Sequence, residues 1–190
     1  MPDDPFIDLL SSICGALDCQ GLVYALTGSV VSSTYGEPFN SQDVDICLRM
    51  SPQQAKKLAD ALPPRFYRSE EAIREAAQSR SMANLIDTQT GFKVDLSVLP
   101  DEPYYQGVLL RRASVPYGLN GPPFWMVSPE DIILMKLAWR KDSRSEKQWE
   151  NALSVMRSKG QKLNWPYLRQ WAEVLSVVED LEALRREAGL

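Results

Sequence analysis

Apolar residues at Phe6, Leu9, Leu10, Ile13 and Leu17 recur at three- and four-residue steps, which predicts an amphipathic helix over 4–19 ending at Gly21. LVYAL (22–26) reads as a short buried strand that runs into Gly28, and VDICLRM (44–50) as a second strand. Ser51-Pro52 opens a helix to about Leu62, with the proline in the first turn, where its missing N–H costs nothing. Pro63-Pro64 stops that helix. SEEAIREAAQSR (69–80) predicts a further helix with one strongly polar side. MANLID and FKVDLSVL flank a turn at Thr88-Gln89-Thr90-Gly91 and predict a hairpin over 82–100. Between 101 and 126 the pattern weakens. Leu109, Leu110 and Val115 are candidate strand positions there, and PFWMV (123–127) reads as a strand.

The period changes at Ser128. No strand signal follows, and SPED (128–131) reads as a capping box with proline at the first helical position. Helices are expected near 128–140, 145–158, 164–175 and 177–187, with breaks at Lys141-Asp142, Gly160 and Val177. The expected organisation is an α/β domain over 1–127 and a helical subdomain over 128–190.

The chain has 190 residues, 44% hydrophobic and 24% charged, which is ordinary for a folded globular protein and argues against disorder. Its net charge of −4 comes from mixed acidic and basic residues, so no basic stripe for tracking a phosphate backbone stands out. Cys14, Cys19 and Cys47 are odd in number and form no CxxC pair, and there is no histidine. Zinc centres and histidine-based acid–base chemistry are therefore set aside. Catalysis, if any, must run on carboxylates, hydroxyls, lysines, arginines or a hard metal ion. The start, MPDDPFIDLL, is acidic where a signal peptide is basic, and no apolar run is long enough to cross a membrane. The expected setting is cytoplasmic, with no membrane partner.

Asp43 and Asp45 alternate at the head of a strand and so share one face, about 6.5 Å apart along it. A lone Asp-x-Asp of this kind is more often a wet strand edge than a metal site. Asp95 shifts that balance, because it lies in the apolar run FKVDLSVL, where a carboxylate without a partner is costly. Lys93 shares its face, so a structural Lys–Asp pair is the plain explanation. A third carboxylate of a metal-holding cluster is the functional one. Gly28-Ser29 follows a strand and opens a short helix whose N–H groups can grip phosphate oxygens, although such a pair is commonly just a helix cap. Lys136 interrupts the apolar run IILMKLAW and either snorkels or reaches towards a triphosphate, with Arg140 one turn further on the same face. Trp139, Trp149, Trp165 and Trp171 are expected to build the helical core.

In order, TGS (27–29), DVD (43–45) and KVDL (93–96) resemble the pattern of the nucleotidyltransferase superfamily of the DNA polymerase β type. Across nearly the whole chain, the stretches YGEPFNSQDVDICLRM, NLIDTQTGFKVDLSVL and SPEDIILMKLAW look like small bacterial nucleotidyltransferase-like proteins related to the minimal and AbiEii-type groups. The resemblance implies an α+β fold, a mixed β-sheet flanked by helices and followed by a C-terminal helical bundle. It implies that Asp43 and Asp45 hold Mg²⁺, or Mn²⁺ in its place, against the β- and γ-phosphates of a nucleoside triphosphate such as ATP. Asp95 would help hold the metal and draw the proton from an acceptor hydroxyl. Gly28, Ser29, Lys136 and Arg140 would bind phosphate. The acceptor it leaves open is an RNA end, a protein or a small molecule. By family association it implies a toxin–antitoxin role with an antitoxin-like protein partner. One departure is Phe39-Asn40-Ser41, where relatives tend to carry Arg followed by Ser or Thr. The alternatives are a non-catalytic nucleotide-binding or protein-interaction module that keeps the fold, and a metal-dependent glycosyltransferase using the Asp-x-Asp pair.

Overall fold

Helix α1, Pro5–Cys19, buries Leu9, Leu10, Ile13 and Leu17, the apolar face that the spacing predicts. Asp4 caps it by accepting from the Phe6 N–H. The computed structural model describes residues 4–38, 43–119 and 121–190, without the Asp142 side chain. The departure at Phe39-Asn40-Ser41 lies outside the described residues.

The chain continues through β1 (Val23–Thr27), α2 (Gly28–Tyr35), β2 (Asp43–Arg49), α3 (Pro52–Ala61), β3 (Phe66–Tyr67), α4 (Glu70–Ser79), β4 (Met82–Asp87) and β5 (Lys93–Val98). It goes on through α5 (Pro103–Leu110), β6 (Ala113–Pro116), β7 (Pro123–Met126), α6 (Pro129–Ser143) and α7 (Glu146–Lys159). A single 3-10 turn, α8 (Trp165–Leu175) and α9 (Val178–Glu187) complete it. This is the expected α+β class. The strands form one mixed sheet in the order β3-β4-β5-β2-β1-β7-β6. Pairs β2–β5 and β1–β7 are parallel, while β3–β4, β4–β5 and β6–β7 are antiparallel.

Two compact units emerge, one of Met1–Leu26 with Ser41–Met126 and one of Thr27–Asn40 with Val127–Leu190. In the first, side-chain alternation sorts the central strands into two faces. Val44, Ile46 and Leu48 of β2, Val94, Leu96 and Val98 of β5, and Ala83 and Leu85 of β4 are buried on one face. Helix α4 lies against β4 and β5, and its Ile73, Ala76 and Ala77 are buried with them. The other face carries Asp43 and Asp45 of β2, Lys93 and Asp95 of β5, and Met82, Asn84 and Ile86 of β4. In the second unit, α2 packs on α6 and α7, and α6 to α9 pack on one another around Ile132, Ile133, Leu137, Val155, Met156, Leu168 and Leu184.

The hairpin over 82–100 forms as expected, with Asp87 at its turn held by an ion pair. Arg65 donates from Nε to Asp87 Oδ1 at 2.8 Å and from Nη2 to Oδ2 at 2.7 Å. Thr90 donates its hydroxyl to the same carboxylate at 2.5 Å. These bonds hold the wholly buried Asp87 carboxyl at about 2, below the usual carboxylate range, with the Arg65 hydrogen bonds as the chief cause.

Three expectations are corrected, and one short strand was not expected. Leu109 and Leu110 close helix α5 and are not strand residues, because Pro103 starts a helix there. Helix α6 runs through Lys141-Asp142 to Ser143, and the chain leaves it only at Arg144, which takes a left-handed φ of 51°. Phe66-Tyr67 is a two-residue strand, too short to show alternation. The tryptophans do not build the helical core, which is aliphatic. Trp139 is 40% exposed, and Trp149 and Trp165 each carry an arginine, Arg140 and Arg185, over the ring.

Candidate active site

The parallel register of β2 and β5 sets Asp43 opposite Lys93 and Asp45 opposite Asp95. Because these strands point the same way, the heads of both lie at one end of the sheet, and their four polar side chains share one face. Neighbouring strands lie about 4.8 Å apart, so the Asp45 and Asp95 carboxylates stand side by side. The sequence places Val44 between the first two aspartates and Val94 beside Lys93, and these valines turn to the buried face. Alternation thus anchors the strands through their apolar side and sets the acidic residues on the opposite face.

Asp95 is only 7% exposed. Lys93 donates from Nζ to its Oδ2 at 2.8 Å, and its Oδ1 is buried with no hydrogen-bond partner among the described residues. The lysine is held above its ordinary pKa, first by the hydrogen bond to Asp95 and further by the charges of Asp95, Asp43 and Asp45. The carboxylates therefore feel one ammonium in common. Asn84 of β4 flanks Asp95 on its other side, as its register partner in the antiparallel pair. Sequence reasoning passed over Asn84, although its outward place in the alternating MANLID run and the short turn at 88–91 together fix that register.

Hard oxygen donors on adjacent strands, one of them a buried oxygen with unmet capacity, fit a hard divalent cation such as Mg²⁺. Among the described residues, no group of three carboxylate, histidine or cysteine side chains stands ready to hold an ion. The Lys93 ammonium takes Asp95 Oδ2 instead.

The remaining candidates belong to the second unit. Gly28 opens α2 with φ of 65°, a left-handed value that requires glycine at this corner. Ser29 is buried behind it, and Thr27 gives α2 no side-chain cap, so the first N–H groups of this helix are not closed by their N-cap residue. The Ser32 hydroxyl donates to the Gly28 carbonyl at 3.0 Å and steadies the first turn. Lys136 is 2% exposed, with its ammonium 5.5 Å from the Trp139 ring centroid. Arg140, one turn on, donates to Asp180 Oδ1 at 3.3 Å and lies 4.7 Å from the Trp149 ring. The structure thus gathers Asp43, Asp45 and Asp95 on one face, and it engages Arg140 with α7 and α9.

No protein-family model matches the chain, and no curated protein matches its sequence. Solved structures do match it. The antibiotic-resistance factor ANT(2″)-Ia aligns over 94% of this chain and 97% of its own, at 13% identity and a TM-score of 0.60. ANT(2″)-Ia in complex with adenylyl-2″-tobramycin aligns over 97% and 99%, at 15% identity and a TM-score of 0.56. An antigenic nucleotidyltransferase-like protein from Paracoccidioides brasiliensis aligns over 97% and 93%, at 18% identity and a TM-score of 0.57. At such identities the likeness is one of fold, and it runs the length of both chains. The strand order, the acidic sheet face and these alignments agree: the fold of this chain is the nucleotidyltransferase fold.

Proposed function

We propose that the chain is a divalent-metal-dependent nucleotidyltransferase that moves a nucleoside monophosphate from a nucleoside triphosphate, ATP first among those to test, to a hydroxyl acceptor. The observation that carries this reading is the acidic face itself: Asp45 and Asp95 in register, Asp43 beside them, and a buried Asp95 oxygen without a partner among the described residues. Asp43, Asp45 and Asp95 would hold Mg²⁺ or Mn²⁺. When bound, the ion neutralises phosphate charge and favours loss of pyrophosphate. Asp95 accepts the proton of the acceptor hydroxyl. The acceptor oxygen then forms its bond to the α-phosphorus as the bond to the bridging oxygen of pyrophosphate breaks, and that electron pair leaves with the pyrophosphate. The opening N–H groups of α2, at Gly28 and Ser29, grip phosphate oxygens. Lys136 is the candidate cation for the triphosphate, and Arg140 supports it from one turn away.

A small-molecule hydroxyl is the first acceptor to test, because ANT(2″)-Ia, similar over nearly the full length of both chains, holds adenylyl-2″-tobramycin. RNA ends and protein hydroxyls come next. A toxin role with an antitoxin-like partner rests on the sequence resemblance alone. No helix among the described residues is long and apolar enough to cross a membrane. The experiment is incubation with each α-labelled nucleoside triphosphate, Mg²⁺ and a panel of small-molecule, RNA and protein acceptors. Transfer that is lost in Asp95→Ala supports the reading, and transfer that survives it overturns the assignment of Asp95.

A second reading has its own observation. Lys93 already neutralises Asp95, an arrangement that also suits a non-catalytic nucleotide-binding module. Nucleotide binding that needs no Mg²⁺ and is unchanged in Asp43→Ala, with no transfer to any acceptor, would select it.

A further inference from the structure

Among the residues of β2 and β5, Asp43, Asp45 and Asp95 share one face with Lys93, and the lysine is tied to the carboxylate that lies deepest. Lys93 Nζ is 2.8 Å from Asp95 Oδ2, while Oδ1 is buried with no hydrogen-bond partner among the described residues. Lys93 thus already holds one of the two Asp95 oxygens. The Lys93 side chain is 42% exposed, against 11% for Asp95, so the lysine reaches the pair from the solvent side and has room to withdraw to it. Its register partner is Asp43, and Asp45 is the partner of Asp95, so the ammonium sits among all three acids and no second lysine or arginine alternates with them on β2 or β5 until Arg49. Without a counter-charge, adjacent carboxylates on neighbouring strands repel.

We propose that Lys93 is a tethered counter-cation of Asp95 in the metal-free chain and competes with a divalent ion for that carboxylate, so that it sets how tightly the site binds metal. This rests on the metal-holding role proposed above for the three aspartates. A lysine suits such a part better than an arginine. Its ammonium is one point charge on a flexible stem, with no planar fork to lock both carboxylate oxygens. The withdrawn ammonium remains tethered next to Asp43 and lowers the net negative charge that a triphosphate meets there. The device gives the face two states, one closed by the protein's own cation and one opened by a metal ion.

The opposite role predicts the opposite sign. If Lys93 only oriented Asp95 for metal, removing it would weaken metal binding or leave it unchanged. If Lys93 competes with metal, removing it tightens binding. The test titrates Mn²⁺ into the nucleotide-free chain and follows the free-ion paramagnetic resonance signal. Wild type is compared with Lys93→Met, Lys93→Gln, Lys93→Arg, Asp45→Asn and the double variant Asp45→Asn/Lys93→Met. Lys93→Met and Lys93→Gln are expected to bind Mn²⁺ about tenfold more tightly, since they remove a like charge within a few ångströms of the ion. Lys93→Arg, which keeps the charge, stays within about twofold of wild type or binds more weakly. Two neutral variants keep the test usable if one fails to fold. Weakening by Asp45→Asn together with unchanged or weaker binding by both neutral Lys93 variants overturns the role of Lys93 and leaves the metal site standing. Binding that Asp45→Asn does not alter in either background overturns the metal site and the role of Lys93 with it.

Discussion

Asp45 and Asp95 are register partners across two parallel strands, so a pair of like charges is built into the centre of the sheet. Such an arrangement is unfavourable for folding and useful for holding a cation. Asp45→Asn should therefore separate the two demands. In chelator, its stability to urea should equal that of wild type or exceed it by up to about 1 kcal/mol, as a like-charge pair is relieved. Transfer from an α-labelled nucleoside triphosphate should fall by at least about a hundredfold. A variant that loses both stability and activity would show Asp45 to be a structural residue.

Asp87 is an acid-sensitive clasp. Its carboxyl titrates at about 2 in the fold, below the unfolded carboxylate value, so the stabilisation is fully present above about pH 4 and disappears as pH falls towards 2. Asp87→Asn should cost on the order of 3 kcal/mol at neutral pH, because it leaves the Arg65 guanidinium largely buried without its bidentate partner. Urea melts of wild type should lose stability between about pH 4 and 2, and the variant should lose less over the same interval. Equal slopes would remove Asp87 as the cause.

Two glycines are predicted to be irreplaceable for different reasons. Gly28→Ala forces a side chain into a left-handed backbone and should cost about 1–2 kcal/mol. Gly36→Ala meets no such backbone strain. Its Cβ would come 2.4 Å from Ser154 Oγ and 2.9 Å from the Ser154 carbonyl carbon. It should also break the bond from the Glu37 N–H to Ser154 Oγ, and thermal melts should show it to be at least as damaging as Gly28→Ala. Ser154→Ala, which removes the hydroxyl but not the backbone contact, should relieve Gly36→Ala only in part.

Of the three cysteines, Cys19 is exposed and Cys14 and Cys47 are buried. Burial pushes the Cys14 thiol up to about 12. A thiol reagent at neutral pH should label one cysteine per native chain quickly, and Cys19→Ser should abolish that fast phase. Fast labelling of two would place Cys14 or Cys47 in a locally opening segment.

The acidic triad was legible in the sequence because alternation on a strand is a two-residue rule, and Asp43-x-Asp45 and Lys93-x-Asp95 each state which side chains share a face. What alternation could not state is which strands are neighbours. Between β2 and β5 lie α3, β3, α4 and β4, and only the fold makes Asp45 the partner of Asp95 and not of a residue on β1. The hairpin was legible because its turn is local. Leu109-Leu110 was not, since a short apolar pair fits a strand or a helix equally well and the choice was made six residues earlier by Pro103. The tryptophans misled for a related reason. Their size argues for the core, but the arginines that cover Trp149 and Trp165 come from other turns or other helices, where no spacing rule connects them.

The chain passes between its two compact units after Leu26, after Asn40 and after Met126. The segment that opens at Gly28 therefore folds with the helices, while the strands on either side of it fold with the sheet. Neither unit is an unbroken length of polypeptide. A protein arranged in this way cannot have its α2 helix and its helical bundle exchanged as one cassette. Recombination among relatives would have to replace nearly the whole chain at once or change it one residue at a time.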